Sequence, residues 1–299
     1  MTDLYAPASS TQPRVLPPSR TRRHKITPFR WLTRALVTVI VVVQVYPLLW
    51  LFLTSVKTNR EFTEGNPFAI PTSLTFSNYT RAFHVGNLGL NMVNSSIVTL
   101  GANVLIVAFG MMGAYAISVL GFKFSGVIRA VFLLGLMVPV QIALVPLFVD
   151  YSHVGLLDTY QSMIIPLAGF SLPMSIYLFG AFFTYIGQET YEAASLDGAG
   201  PIRIFISMVC PLSLNTILTV VLVNSIFIWN DFIFANTFVL SDGLKTVPLG
   251  LQNYIGNMGN VDWTATFAAV CVTITPLLLV FLVLNKAVIY GIESGATKG

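Results

Sequence analysis

Six long apolar blocks, at roughly 32–56, 92–120, 127–149, 161–185, 209–236 and 264–290, constrain this chain more than any other feature. Each is long enough to cross about 30 Å of hydrocarbon as a helix. The strands of a membrane barrel would alternate polar and apolar residues in pieces of about ten, whereas these blocks are continuous. Only 9% of the residues are charged and 55% are hydrophobic, against about 25% charged in a soluble chain. The expectation is an all-α integral membrane protein with six transmembrane helices.

Basic residues orient the helices. Of the sixteen Lys and Arg, all but Lys57, Arg60, Arg81 and Lys245 fall on one set of alternating segments. The positive-inside rule makes that set cytoplasmic and places both termini in the cytoplasm. Residues 1–31 read as a disordered basic cytoplasmic tail, rich in Pro, Ser and Thr and then in Arg14, Arg20, Arg22, Arg23, Lys25 and Arg30. Its position beside the first block explains the net charge of +4 without invoking nucleic acid. The tail and first block are too long, and lack the small-residue cleavage site, for a removable signal peptide. Residues 32–299 form the membrane domain.

The chain lacks the patterns of catalysis. It contains no G-x-x-x-x-G-K-[ST], no G-x-S-x-G and no H-E-x-x-H. His24, His84 and His153 have no metal-ligand spacing, and Cys210 and Cys271 fall near opposite leaflets, which disfavours a disulfide. It is read as a non-enzyme that binds no cofactor of its own.

Within the blocks Asp231 is the one carboxylate, about 8 Å inside the expected outer end of the fifth helix. With Asn230 it marks a possible pathway or mouth; the alternative is an interfacial carboxylate beside a membrane-belt Trp229. Gln44, Asn103, Gln141, Asn215 and Asn224 suit either a polar path or interhelical hydrogen bonds. Prolines at 47, 139, 146, 166, 173 and 276 favour kinks. Gly110, Gly113 and Gly121 offer small surfaces for close helix packing. Outside, Asn78–Phe83 suits a short interfacial helix, and 237–263 suits a re-entrant or interfacial segment.

A polar, small-residue island interrupts the apolar blocks at about 186–208. Residues 190–197 favour a short helix, Gly198 suits a left-handed cap, and Pro201 suits the first turn of a following helix. Ala193, Ala194 and Ala199 keep the surface low, while Glu192 and Asp197 present carboxylates. An ordinary amphipathic connector and a protein-docking element both fit.

The string Glu192-Ala193-Ala194-x-x-Asp197-Gly198-Ala199, with Pro211 beyond it, resembles the E-A-A loop of ABC importer permeases, in particular the maltose-type carbohydrate uptake family. The resemblance extends over most of 32–299. It includes Asn94-Ser95, Val138-Pro139-x-Gln141, Gly155-Leu156-x-Asp158-Thr159, Trp229-Asn230-Asp231-Phe232 and the C-terminal stretch from Gly291 to Gly299. It implies the type I importer permease fold in a bacterial or archaeal plasma membrane. It further implies that Glu192, Ala193, Ala194, Asp197, Gly198 and Ala199 couple to a cytoplasmic ATPase, and that Gly295, Ala296, Lys298 and Gly299 make a secondary contact. The partners it implies are a second, related permease, two ATPases that use ATP, an extracytoplasmic solute-binding protein and a sugar, with lipid around the spans. A stand-alone secondary carrier or channel is the alternative; the buried ionisable relay or selectivity filter it would need is not evident in the sequence.

Overall fold

A computed structural model describes residues 28–255 and 261–296. The chain divides into two compact units, Met1–Leu48 and Leu49–Gly299. In the first, α1 (Pro28–Ser55) begins, and every residue from Arg30 to Leu48 is exposed. An apolar helix face of this kind is stable in lipid, where no water penalises it. Arg34 lies over the Trp31 ring, 5.9 Å from its centroid.

The second unit carries the remaining spans. After α2 (Asn59–Thr63) and α3 (Ser77–Val85) comes α4 (Leu88–Tyr115), which continues through a π-helical turn, Ala116–Leu120. Then follow α5 (Ser125–Gly135), α6 (Val140–Val154), α7 (Tyr160–Tyr185) and α8 (Gln188–Leu196). Next are α9 (Pro201–Ile204), a second π turn (Phe205–Val209), α10 (Cys210–Leu212), α11 (Leu214–Trp229) and α12 (Ile233–Phe238). The unit closes with α13 (Val247–Gly250) and α14 (Trp263–Ala296). Four spans are unbroken, and two more arise when each bent pair is taken as one span, in line with the six apolar blocks.

Two blocks are not the single helices that hydropathy suggests. The block at 127–149 bends by 97° between α5 and α6. Pro139 caps α6 there in an extended conformation (φ −65°, ψ 128°); it has no N–H to continue the α5 ladder and disfavours the α region for the residue before it. The block at 209–236 begins earlier, at Pro201, bends by 70° at Ser213 and ends at Trp229. Pro211 cannot donate into the ladder, and the preceding turn opens to the π register. By contrast Pro146, Pro166, Pro173 and Pro276 sit inside continuous helices.

The core lies chiefly between α4 and α7. Ala102, Ile106, Ala114, Met163, Phe179 and Phe183 are fully or almost fully buried within it. The glycines of α4 allow this approach: a Cβ added at Gly113 would lie 3.2 Å from Ile176, and one at Gly110 would lie 3.3 Å from Phe179. Close backbone approach is what small residues provide in lipid, where hydrophobicity alone does not drive helices together. Gly121 is different. It caps the π turn in the left-handed region (φ 58°) with open space around it, so its role is conformational and not a packing surface.

On the outer side, polar side chains bind the short elements to the spans. Asn94 Nδ2 donates to the carbonyls of Gly243 and Lys245, and Tyr160 Oη donates to Asn94 Oδ1. The Val247 N–H donates to Ser95 Oγ at 2.8 Å. The segment expected at 237–263 is thus seated on α4; its residues 256–260 lie outside the described residues. The expected short helix at Asn78–Phe83 is α3. Asn78 Nδ2 donates to the carbonyls of Ser55 and Lys57, and Arg81 pairs with Asp262 at 2.8 Å. Burial alone would raise the Asp262 carboxyl, but hydrogen bonds from Arg81 and the Ala265 N–H, with the Arg81 charge, hold it below its usual value.

Candidate coupling site

The island is a helix, tight turn and helix. Gly187 opens α8 with φ 83°, a region that favours glycine. The helix ends in a full Schellman closure around Gly198 (φ 82°): the Gly198 N–H donates to the Ser195 carbonyl at 3.0 Å, and the Ala199 N–H to the Ala194 carbonyl at 3.1 Å. Pro201 then begins α9, where its missing N–H costs no hydrogen bond. Gly198 and Pro201 thus occupy the cap and first-turn positions expected of them.

Burial divides α8 into two faces. Ala194 and Ala199 are half-buried and pack on the core of the bundle. Glu192, Ala193, Asp197 and Gly198 are exposed. Leu196 stands 89% exposed beside them, with Ile202 at 76%. Carboxylates bordering uncovered aliphatic side chains form a surface suited to a partner with basic and apolar groups. Glu192 Oε1 also accepts a hydrogen bond from Gln188 Nε2 one turn earlier, at 2.8 Å.

Two tyrosines tie this element to the spans, and neither is marked as a site residue by the sequence. Tyr191 Oη donates to the Phe183 carbonyl near the end of α7, at 3.0 Å. Burial, with the nearby Tyr115, pushes its phenol up to about 12, so it remains a donor throughout the physiological range. Tyr115 Oη, at the end of α4, donates to the Pro201 carbonyl at 3.0 Å, and its ring packs 5.2 Å from that of Phe205. Both tyrosines line a cleft of about 720 Å³ between α8 and the bundle. Both π turns adjoin the Tyr115 link: one begins at Ala116, the other at Phe205, whose ring packs on Tyr115.

The second candidate, Asn230 with Asp231, lies beyond the end of α11, in the break before α12, and not inside a continuous fifth helix. Asp231 Oδ2 accepts from the Phe234 and Ala235 N–H groups at 3.2 and 3.3 Å, closing the first turn of α12. Asn230 Nδ2 donates to the Ile226 carbonyl. Trp229 is not a belt residue: it is 8% exposed and donates Nε1–H to the Thr273 carbonyl on α14. Asn103 bonds Ser225 across helices and Asn224 bonds Ser175, the interhelical role weighed from the sequence.

Of the C-terminal candidates, Gly295 and Ala296 close α14, whereas Lys298 and Gly299 lie outside the described residues.

Comparison with known proteins agrees with this geometry. Residues 106–291 match the family described as "Binding-protein-dependent transport system inner membrane component". The diacetylchitobiose uptake system permease protein of Streptomyces coelicolor is 31% identical over 271 residues, covering 90% of this chain and 89% of that protein. The trehalose transport system permease protein of Mycobacterium tuberculosis is 32% identical over 263 residues, covering 88% and 95%. A crystal structure of a bacterial ABC transporter involved in the import of the acidic polysaccharide alginate shares the fold at a TM-score of 0.75. It covers 88% of this chain and 97% of that one, at 22% identity. With that family matched over most of its spans and relatives above 30% identity along nearly its whole length, this chain belongs to the binding-protein-dependent transport system inner membrane components, and is a multi-pass transport subunit.

Proposed function

We propose that the chain is a permease subunit of a sugar importer, forming half of the translocation pathway and coupled through α8 to a cytoplasmic ATPase. The carrying observation is the Schellman-closed α8, with Glu192, Ala193, Asp197 and Gly198 outward and hydrogen bonds from Tyr115 and Tyr191 tying it to the core helices. Such an element transmits displacement and needs no catalytic group. Gly295, Ala296, Lys298 and Gly299 supply a secondary ATPase contact. Two ATPases consume the ATP, a second, related permease completes the pathway, and an extracytoplasmic solute-binding protein delivers substrate at a bacterial or archaeal plasma membrane.

The substrate class rests on the relatives named for diacetylchitobiose and trehalose. Closure of the ATPase pair draws the docking helices together and shifts the bundle between inward- and outward-facing populations, to the extent that the nucleotide-bound ATPase prefers one of them. The test is Gly198→Val. A β-branched residue at φ 82° is strained, so sugar uptake and transport-linked ATP hydrolysis fall while the chain still reaches the membrane. Unchanged uptake overturns the coupling role. Uptake by the chain alone, without ATP, would favour the carrier alternative.

A further inference from the structure

Where α5, α7 and the π turn after α4 meet, a half-open cavity of about 140 Å³ is lined by Ser118, Arg129, Pro173, Tyr177, Gly180 and Thr184. It belongs to the cytoplasmic half of the membrane domain. Ser118 lies in the final turn of the second span, Thr184 in the final turn of the fourth, and Arg129 about 6 Å into α5. It shares Ser118 and Thr184 with the cleft at α8 but extends away from α8 toward Arg129 and Pro173.

Arg129 lies one turn into α5, at the cytoplasmic end of a spanning segment, where long basic side chains reach toward the headgroup region. Its hydrogen-bond partner is Ser118 Oγ, at a long 3.4 Å. Among the described residues no carboxylate lies within salt-bridge distance of it. The π register carries Ser118 into this corner, and Gly180 leaves room for it: a Cβ at 180 would lie 2.7 Å from Ser118 Oγ. A fork of cationic donors beside the hydroxyls of Ser118 and Tyr177 matches the oxygens of a phosphate group; the Thr184 hydroxyl donates to the Gly180 carbonyl and only lines the wall.

We propose that this cavity binds the phosphate of an anionic phospholipid from the cytoplasmic leaflet. A lipid is favoured over free phosphate because the same helix exposes Val127, Val131 and Leu134 beside Arg129, a surface for acyl chains running toward the membrane centre. The bound headgroup neutralises Arg129 and joins α5 to α7 and the π turn at one end of the Tyr115 link. The inference is independent of which solute is transported.

Native mass spectrometry of the transporter purified with its partner subunits tests this, with phosphatidylglycerol, phosphatidylcholine or inorganic phosphate added. Wild type should retain phosphatidylglycerol in preference to phosphatidylcholine, and inorganic phosphate should not displace it. Arg129→Gln should reduce retention roughly tenfold, the loss of one charge-assisted hydrogen-bonding group. Lys123→Gln, at an exposed lysine six residues away, should leave it unchanged. If Arg129→Gln does not assemble, Gly180→Ala, which fills the cavity, should reduce retention with the charge intact. Wild-type retention in Arg129→Gln or in Gly180→Ala overturns the proposal. Equal loss in Lys123→Gln assigns the lipid to diffuse surface charge, and displacement by inorganic phosphate assigns a free anion; either outcome overturns the lipid site.

Discussion

Tyr115 and Tyr191 hold the coupling helix by single hydroxyl hydrogen bonds to backbone carbonyls. Removing one such bond costs about 1 kcal/mol, too little to unfold the bundle but enough to loosen a lever. Tyr115→Phe keeps the ring contact with Phe205 and loses only the bond to Pro201. The expected outcome is normal membrane abundance with fewer sugar molecules imported per ATP hydrolysed, measured in proteoliposomes. Asp158 offers a second test at this scale. N–H donation from Ser241 outweighs the opposing effect of burial; with the Leu240 N–H and the Ser241 hydroxyl it holds the Asp158 carboxyl below its usual value. Its folded pKa is therefore below the unfolded one. The stabilisation is fully present above an unfolded value of about 3.9 and is lost as pH falls through the folded pKa. Amide exchange at Leu240 and Ser241 should lose protection on acidification below about pH 4. Asp158→Asn should show reduced protection already at neutral pH and little further change with acid.

Among elements, the α4–α7 pair depends on glycines at its close contacts. Gly113→Leu places a branched side chain against Ile176, 3.2 Å from the new Cβ, and overpacking of this kind costs typically 1–3 kcal/mol. A lowered thermal midpoint of the purified transporter is expected, whereas Gly126→Ala, with nothing within 4 Å, should leave it unchanged. Helix number and approximate extent were legible because a bilayer demands long apolar runs with internally satisfied backbone. The bends at Pro139 and Ser213 were less legible. Pro139 breaks a helix while Pro146, Pro166, Pro173 and Pro276 do not, and the residue letter is the same in both settings. Gly110 and Gly113 packed as expected, but Gly121 proved to be a cap, because an isolated glycine has the same letter in either role.

At the scale of the whole molecule, Leu196 and Ile202 remain largely uncovered beside the exposed carboxylates of α8. Contiguous exposed apolar groups rimmed by polar ones mark an interaction site. Leu196→Glu should therefore abolish co-purification of the ATPase while leaving membrane insertion intact, with pull-down from solubilised membranes as the measurement. Retained ATPase would show that the E-A-A surface binds without its aliphatic centre.

The residues alone determined that the chain spans a membrane, which side its loops face, where the coupling turn closes, and that no P-loop supplies energy within it. Each of these follows from local rules: transfer of apolar length into lipid, the bias of Lys and Arg, and the left-handed conformation that glycine accepts. Only the tertiary structure decided that Tyr115 reaches Pro201, that Asn94 and Ser95 hold the segment from Gly243 to Val247, and that Trp229 faces α14 instead of lipid. These contacts join residues from 44 to 152 positions apart. Helical periodicity indicates which face of a segment is apolar, but it carries no information about which distant segment will cover that face or complete its hydrogen bonds.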